Sequence, residues 1–258
     1  MSAPVRRSLP PPARMAHMGL GAFFRAHQAY ATHVANAVKA SGNDAGDAAT
    51  LGDQWGIVAF TGRSPQAALQ LKGQDNCYTL VTRDISGTRY DMIESIVASY
   101  DGGDLQAWRE TIANPAIAVI TLTVTESGYW HTPEGTLRAD APEIMADLAA
   151  LAAGIGCQTA PGRLVDGLRS RRERAKGGRV PCAVVSCDNL PNNGEILRRV
   201  VTELALAVDE SLAEWLGDNI SFVSSMVDRI TPATTTSDIA EVGRATGITD
   251  VNPVITEP

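Results

Sequence analysis

The amino-acid sequence predicts an α/β fold in which a doubly wound, mostly parallel sheet carries helices on both faces. Short continuous apolar runs bounded by turn residues alternate along the chain with longer stretches of helical character. Continuous apolar strands separated by helices are typical of parallel sheets that are covered on both sides. The 258 residues, 44% of them hydrophobic, suffice for one large core or two small ones, and the absence of an obvious linker favours one. We therefore expect a single domain over residues 15–258, after a charged, proline-rich and disordered leader at residues 1–14.

Strands in the first half are expected where short apolar or β-branched runs are bounded by turn residues, with helices in the longer stretches between them. The segment 92–100 fits either a strand or a helix, and the polar segment 41–54 is predicted to be an inserted loop. In chain order, the predicted strands are 15–18, 55–60, 77–82 and 116–124, and the predicted helices are 24–40, 65–72 and 104–113.

The second half continues the alternation and contains a basic run over residues 169–176. We expect this run to be a solvated helix end that the helix dipole stabilises. Cys182 and Cys187 lie five residues apart in a predicted strand, so their side chains point to opposite faces and a shared metal ion is not expected. The predicted helices are 142–153, 161–174 and 193–216, and the predicted strands are 180–187 and 221–226.

Charge and composition exclude several classes of function. The net charge of −7 argues against a nucleic-acid surface, which needs a basic patch. No run of about 18 apolar residues exists to span a membrane, and the first residues lack the apolar stretch of a signal peptide. Four irregularly spaced cysteines suggest a reduced, cytoplasmic protein without a disulfide framework, and the oligomeric state is left open. Of the 22 basic residues only three are lysines, namely Lys39, Lys72 and Lys176.

Gly19-Leu-Gly21 stands between a predicted strand and a predicted helix near the start of the chain. Glycine there permits a tight turn and lets the backbone approach a pyrophosphate, whose negative charge the helix N-terminus favours. The third glycine of the usual dinucleotide fingerprint is replaced by Phe24. On spacing alone, the segment fits an ordinary strand-to-helix turn as well as a dinucleotide site.

Five sequence blocks, in order along residues 17–232, resemble the mannitol dehydrogenase family of polyol-specific long-chain dehydrogenases. The first block matches the Gly-x-Gly-x-Phe-x-Arg-Ala-His-Gln opening of that family. The resemblance implies a Rossmann-type N-terminal domain and a nicotinamide cofactor without zinc. It also implies oxidation of a secondary alcohol on a polyol or sugar acid, such as mannitol to fructose or mannonate to fructuronate. The blocks are residues 17–28, 74–81, 121–129, 186–194 and 225–232.

The choice of cofactor depends on the turn after the predicted strand 55–60. An acidic residue there usually binds the ribose hydroxyls of NAD, whereas an arginine accommodates the 2′-phosphate of NADP. This turn has no acid, and Arg63 and Ser64 could hold a phosphate, while Arg63 could instead stack on adenine or be a plain surface charge. Because most family members use NAD, we rank NAD first and NADP second. The expected cofactor-binding residues are Gly19, Gly21, Ala22, Phe23, Arg25, Arg63, Ser64, Thr125 and Asn189.

The resemblance also implies three residues with catalytic roles: Asn189, Asp228 and Glu126. Asn189 follows the predicted strand 180–187 and would donate to the substrate oxygen, a type of contact that supports a developing alkoxide. Asp228 would lie near cofactor and substrate, and Glu126 would assist proton exchange with solvent. The alternatives are that Asp188 and Asn189 only cap a turn, that Asp228 pairs with an arginine, and that Glu126 caps a turn.

The general base of the family is a lysine in a Lys-x4-Asn-x2-His signature, which the 258 residues do not contain. In the family this signature lies in a helical C-terminal domain, downstream of a segment that residues 253–258 resemble. The chain is therefore expected to be a cofactor-binding part that binds cofactor but turns over no substrate. The alternative function is a nucleotide-binding or regulatory module without catalysis. A short-chain dehydrogenase would require a Tyr-x3-Lys pair, and no such pair occurs.

Overall fold

A computed structural model describes residues 2–40 and 53–257 and divides the chain into two compact units. Unit 1 consists of Met1–Asp101 and Asp228–Pro258, and unit 2 consists of Gly102–Val227. The single domain expected over residues 15–258 stays a prediction. Residues 41–52 of the predicted inserted loop lie outside the described residues.

Strands and helices alternate along most of the described chain. A π-helical turn, Arg25–Ala29, joins α1 to α2, and a 3-10 turn covers Glu126–Tyr129. The strands are β1 (Ala13–Met18), β2 (Gly56–Phe60), β3 (Tyr78–Asp84), β4 (Gly87–Ile93), β5 (Ile96–Tyr100), β6 (Val119–Leu122), β7 (Cys182–Ser186), β8 (Ile220–Val223) and β9 (Val254–Thr256). The helices are α1 (Ala22–Phe24), α2 (Tyr30–Ala40), α3 (Gln66–Lys72), α4 (Leu105–Ala113), α5 (Pro142–Ala153), α6 (Ala160–Arg174), α7 (Asn193–Val208), α8 (Glu210–Asn219) and α9 (Thr236–Thr246).

Each unit contains three adjacent parallel strands. In unit 1 the order is β5-β2-β1, with Met18 opposite Phe60 and Phe60 opposite Tyr100. In unit 2 the order is β6-β7-β8, with Leu122 opposite Ser186. Counted along the chain, these strands give the orders 3-2-1 and 4-5-6, which are the two halves of a Rossmann strand order. The predicted Rossmann-like α/β class is therefore confirmed.

Unit 1 contains a second sheet that the sequence did not predict, with the order β4-β3-β9. Strands β3 and β4 form an antiparallel hairpin, and β9 pairs with β3 in parallel through Leu80 opposite Val254. The segment 92–100, left open between strand and helix, divides into the end of β4 and the strand β5. Because β4 is largely exposed and β9 has only three residues, neither carries a recognisable apolar pattern.

The buried side chains of unit 1 lie between the parallel sheet, the helical segment after β1 and the second sheet. Tyr78 is fully buried, and its hydroxyl donates to the carbonyl of Arg25 over 2.5 Å. In unit 2 the indole of Trp108 on α4 donates to the carbonyl of Arg163 on α6 over 2.7 Å. The largest members of the unit 1 core are Phe24, Ile57, Leu71, Tyr78, Leu80, Ile93 and Ile96.

The predicted helix 193–216 is interrupted at Asp209, and two helices, α7 and α8, take its place. Asp209 adopts an extended backbone conformation with φ −161°, and its side chain accepts from the backbone N–H of Ser211 over 2.9 Å. An aspartate in that position caps the second helix and ends the first. The hydrophobic periodicity continues across the break, which is why the sequence predicted one helix.

The basic run 169–176 is only partly solvated, so the prediction of a solvated helix end is wrong for its central residue. Arg171 is fully buried and donates to five backbone carbonyl oxygens. Arg169 pairs with the buried Asp166 over 3.1 Å, and Arg172 pairs with Asp209 over 2.7 Å. Local charge density predicts exposure, whereas available carbonyl acceptors permit burial.

Residues 2–12 have defined contacts within unit 1, in place of the disorder that their composition suggests. Ser2 forms a β-bridge with Ile248, and a guanidinium nitrogen of Arg6 donates to the carbonyl of Ile96 over 2.6 Å. The backbone N–H of Arg6 donates to Asp75 over 3.1 Å. Acceptors from distant parts of the chain therefore hold this proline-rich segment.

Within the described ranges, no helix has the length and apolar character needed to cross a membrane. The same residues include no group of three or more His, Cys, Asp or Glu side chains arranged to hold a metal ion. All four cysteines are free thiols.

Candidate functional site

The predicted glycine turn joins β1 to the helical segment that starts at Ala22. Gly19 has φ +112°, a conformation that side-chain-bearing residues rarely adopt. The backbone N–H groups of Gly19 and Leu20 both donate to the carbonyl of Phe60, over 3.0 and 2.9 Å. These bonds attach the turn to the end of β2 and place it at the carboxyl edge of the parallel sheet, where open α/β sheets bind their ligands.

Gly21 precedes the first helical residue and has an ordinary extended backbone, with φ −130° and ψ −176°. A Cβ atom built on Gly21 would meet only the carbonyl oxygen of Gly19, at 3.6 Å, which is an ordinary contact. Nothing in the described fold therefore requires glycine at this position. A backbone without a side chain is what a closely approaching phosphate group needs, and the first N–H groups of a helix suit its charge.

His17 supports the turn from below. It is fully buried at the end of β1, and its ring stacks on Phe24 with centroids 3.5 Å apart and an interplanar angle of 8°. Burial lowers the pKa of His17 to about 3, while a hydrogen bond to the backbone of Gly19 acts in the opposite direction. His17 is therefore a neutral, structural residue.

Arg25, one of the expected cofactor-binding residues, is surrounded by protein partners. Its guanidinium is buried, and Nε donates to the carbonyl of Gly21 over 3.2 Å. Nη1 and Nη2 donate to the carbonyl and side-chain oxygens of Asn252, over 2.6 and 3.0 Å, and the cation lies 5.3 Å above the ring of Tyr78. Arg25 therefore holds the glycine turn against the 250–252 segment. Ala22 and Phe23 are partly exposed at the helix start.

The turn after β2 carries the residues expected to select the cofactor. Arg63 and Ser64 are exposed, and the hydroxyl of Ser64 accepts from the backbone N–H of Gln66 over 3.3 Å. Thr61, which follows β2 directly, is buried and donates to Asp101 over 3.4 Å. Asp101 follows β5, and the sequence did not identify it as a site residue.

Asp228 lies in unit 1 beside His27, where both its charge and that of Arg229 act on the imidazole. Burial is the main cause of the lowered pKa of His27; Arg229 lowers it further, and Asp228 opposes the change. Among the described residues Asp228 forms no ion pair, because Arg229 instead donates to the carbonyl of Ala26 over 2.9 Å and covers the ring of Tyr30. The alternative of an Asp228–Arg229 pair is therefore not observed.

Asn189 is exposed on the turn that follows β7 in unit 2. Its side-chain oxygen accepts from the backbone N–H of Val227 over 3.1 Å. That bond fixes the orientation of the amide and directs its NH₂ group away from Val227. The group that the Asn189 side chain can still offer is therefore a hydrogen-bond donor. The alternative was that Asp188 and Asn189 both cap the turn. Of the two, Asp188 does so, since its side chain accepts from the backbone N–H of Leu190 over 2.9 Å.

Glu126 is exposed at the start of the 3-10 turn, and Thr125 precedes it with a hydroxyl 3.1 Å from that of Ser127. The same turn ends at Tyr129, a buried residue whose hydroxyl donates to Asp188. Burial and this carboxylate together raise the pKa of Tyr129. The pair joins the turn that carries Glu126 to the turn that carries Asn189.

Asp188 and Asn193 form a support for the Asn189 turn that the sequence prediction missed. The side-chain amide of Asn193 donates to Asp188 and to the carbonyl of Ser225, over 3.1 and 2.9 Å. Tyr129 and Asp188 both fall inside the family-like blocks, so the blocks contained a signal. Tyr129 and Asn193 each have a hydrogen-bond partner about 30 to 60 positions away in the chain, so local sequence patterns could not predict these contacts.

Comparison with known proteins accounts for the blocks. Residues 13–258 match the family model described as the mannitol dehydrogenase Rossmann domain. The chain belongs to the mannitol dehydrogenase family. Mannitol 2-dehydrogenase of Cereibacter sphaeroides is 35% identical over 98% of this chain and 50% of its own length. D-mannonate oxidoreductase of Escherichia coli is 34% identical over 95% of this chain and 48% of its own length.

A solved structure of another mannitol dehydrogenase family member has the same fold. It is a ternary complex of Pseudomonas fluorescens mannitol 2-dehydrogenase with NAD and D-mannitol, 33% identical to this chain with a TM-score of 0.83. The match covers 100% of this chain and 50% of that one. The chain thus spans about half the length of these mannitol dehydrogenase family relatives.

Proposed function

We propose that residues 15–258 form the nicotinamide-dinucleotide-binding domain of an oxidoreductase that interconverts a polyol or sugar acid and its keto form. NAD is the first choice of cofactor, since the Pseudomonas fluorescens relative binds it, and NADP is the second. The free thiols fit a reducing, cytoplasmic location.

The glycine turn is the observation that carries this proposal. Gly21 lacks a side chain although the fold has room for one, which suggests that a ligand occupies that space. The first turn of the helix has no acidic residue to oppose a phosphate. Gly19, Gly21, Ala22 and Phe23 would bind the pyrophosphate through backbone N–H groups, because a helix N-terminus attracts anions.

The polar residues of the turns fit the chemistry of alcohol oxidation. A bound nicotinamide dinucleotide supplies the acceptor for the hydride that leaves the carbinol carbon. Asn189 would donate its amide N–H to the substrate oxygen, and a preorganised donor of this type stabilises an alkoxide as it forms. Asp228 and Glu126 would assist proton transfer, and Thr125 would contact the cofactor. The general base of the family, a lysine in a Lys-x4-Asn-x2-His signature, does not occur among these 258 residues.

Titration of the chain with NADH, followed by nicotinamide fluorescence, tests the proposal. We expect saturable binding by the wild-type chain, and roughly tenfold or greater weakening by Gly21→Ala, because the added methyl group obstructs the pyrophosphate. The melting temperature should stay within a degree or two of wild type, since the Cβ meets only one ordinary contact. Gly217→Ala, which places a methyl group in open space on α8, is the matched control.

Oxidation of mannitol, arabinitol and mannonate with either cofactor should be undetectable for the 258-residue chain, because it contains no Lys-x4-Asn-x2-His segment. The Pseudomonas fluorescens mannitol 2-dehydrogenase serves as the positive control. Turnover by the chain alone would contradict this division of roles. Absence of NADH and NADPH binding would contradict the cofactor-binding function itself.

A further inference from the structure

We propose that Asp101 supplies the carboxylate that binds the adenosine ribose and makes this chain select NAD over NADP. The inference rests on the proposed function and names a residue that determines its cofactor. Rossmann folds commonly place the ribose-binding acid directly after their second strand. Here that strand is β2, and the residues after it are Thr61, Gly62, Arg63 and Ser64, none of which is acidic.

Backbone hydrogen bonds connect the glycine turn to the end of β5 through the end of β2. The carbonyl of Phe60 accepts from Gly19 and Leu20, over 3.0 and 2.9 Å. The next residue, Thr61, donates its backbone N–H to the carbonyl of Tyr100 over 3.0 Å. A dinucleotide whose pyrophosphate lies at the glycine turn extends its adenosine over this edge of the sheet.

Asp101 comes directly after Tyr100 and brings a carboxylate to this edge. The hydroxyl of Thr61 donates to Oδ1 of Asp101 over 3.4 Å. Thr61 is 1% exposed whereas Asp101 is exposed, so the carboxylate sits above a fixed, buried residue and faces solvent. The carboxylate oxygen therefore lies 3.4 Å from the side chain of the residue that directly follows β2.

A carboxylate in this position distinguishes the two cofactors. A carboxylate has two oxygens and about four acceptor sites, so it can accept hydrogen bonds from ribose hydroxyls as well as from protein groups. Hydrogen bonds to an ionised acceptor are stronger than neutral ones. The 2′-phosphate of NADP would instead bring a second negative charge against Asp101, which disfavours binding.

Two positively charged side chains, Arg63 and Lys72, lie near the ends of β2 and β5. Arg63 lies on the exposed turn, and no hydrogen bond or ion pair with a described residue holds its side chain. The Lys72 ammonium lies 4.9 Å over the ring of Tyr100. Ordering a free arginine on a phosphate costs side-chain entropy, whereas Asp101 is already placed. The charged group that contacts the residue directly after β2, through the Thr61–Asp101 hydrogen bond, is therefore a carboxylate.

Titration of wild type and Asp101→Asn with NADH and NADPH tests the assignment. We expect wild type to bind NADH more tightly, and Asp101→Asn to lose roughly tenfold or more in NADH affinity, the loss typical of a hydrogen bond to a charged group. NADPH affinity should stay constant or rise, so the ratio of NADH affinity to NADPH affinity should decrease. Asp84→Asn on the exposed β3–β4 hairpin removes the same charge and should leave the preference unchanged.

The outcomes separate this inference from the proposed function. If wild type binds NADH while Asp101→Asn keeps its preference, Asp101 does not select the cofactor, although the chain remains a dinucleotide-binding domain. A wild-type preference for NADPH would also overturn the role of Asp101 and would favour Arg63 as a phosphate ligand. Failure to bind either dinucleotide would reject both proposals.

Discussion

At the residue scale, the glycine turn depends on a histidine that stays neutral. His17 is completely buried between β1 and Phe24, where water cannot stabilise an imidazolium. Its pKa, lowered to about 3, lies well below the 6.5 of an unfolded chain. Below about pH 6.5 the unfolded chain therefore takes up a proton at this histidine while the folded chain does not. As a result, the free energy of unfolding decreases as the pH decreases from about 6.5 towards 3.

Replacing the histidine should remove this dependence. Between pH 7.5 and pH 5.5 the titration of His17 lowers the free energy of unfolding by about 1.4 kcal/mol. His17→Phe keeps the stacked ring but cannot titrate. We therefore expect its free energy of unfolding to decrease by about 1.4 kcal/mol less than that of wild type between pH 7.5 and pH 5.5. Urea unfolding at several pH values provides the measurement.

His33→Phe is the matched control for His17. The pKa of His33 is also lowered by burial, but Glu94 and Asp91 oppose that effect. His33→Phe should therefore change the pH dependence of the free energy of unfolding less than His17→Phe does. An unchanged pH dependence in His17→Phe would contradict the assignment of His17 as the dominant neutral histidine.

Residue identities that serve the turn could be predicted, but their contacts could not. The sequence placed Gly19 and Gly21 correctly, because two glycines between a strand and a helix favour a tight turn at that point. The family resemblance placed Arg25 among the cofactor-binding residues. The structure buries Arg25 against Asn252, a partner 227 positions away that no local pattern indicates.

At the element scale, α7 begins in direct contact with the chain that follows β8. A Cβ atom on Gly194 would lie 2.5 Å from the backbone nitrogen of Ser224 and 2.7 Å from the carbonyl oxygen of Val223. Backbone atoms cannot rotate away as a side chain can. Glycine at the second residue of α7 is thus required by packing, in contrast to Gly21, where the space is open.

Gly194→Ala should lower the free energy of unfolding by about 1–3 kcal/mol, because the helix must shift to relieve the overlap. Gly217→Ala, in the interior of α8 with no neighbour within 4 Å, should instead raise stability by roughly 0.5–1 kcal/mol. Chemical denaturation of both variants measures the difference. Equal effects would indicate that the start of α7 can move without cost.

Most elements could be located from local patterns, and the exceptions share a cause. The parallel strands have continuous apolar runs, so β1, β2, β6, β7 and β8 were predicted within a few residues. The break at Asp209 was missed, because an aspartate within a periodic segment fits either a helix surface or a cap. Strands β4 and β9 exist because they pair with β3, and pairing partners are not visible in one segment.

At the scale of the whole molecule, each unit is held together by buried polar groups as well as by its apolar core. Arg171 is the largest such group in unit 2 and has no carboxylate partner among the described residues. Burial lowers its pKa. Its nitrogens donate to the carbonyls of Ile112, Asn114, Ile117, Val180 and Pro181, over 2.9 to 3.3 Å. One guanidinium therefore joins the end of α4, the approach to β6 and the approach to β7.

Arg171→Lys should cost about 3–5 kcal/mol, because an ammonium cannot reach five carbonyls and leaves buried acceptors unpaired. Arg174→Lys, on the exposed part of the same helix, should change stability by less than about 0.5 kcal/mol. Thermal and urea unfolding of the two variants provide the comparison. A tolerant Arg171→Lys variant would show that water or rearrangement satisfies these carbonyls.

The sequence by itself determined the Rossmann-like class, the position of the glycine turn and membership of the family. Each of these depends on residues that are close together in the chain, where periodicity, turn chemistry and motif spacing act directly. The tertiary structure alone decided that the chain divides into two units, that Arg25 and Arg171 are buried, and that Asp101 stands beside Thr61. Burial and charge proximity depend on which distant segments fold together, and that choice follows from the packing of the whole chain.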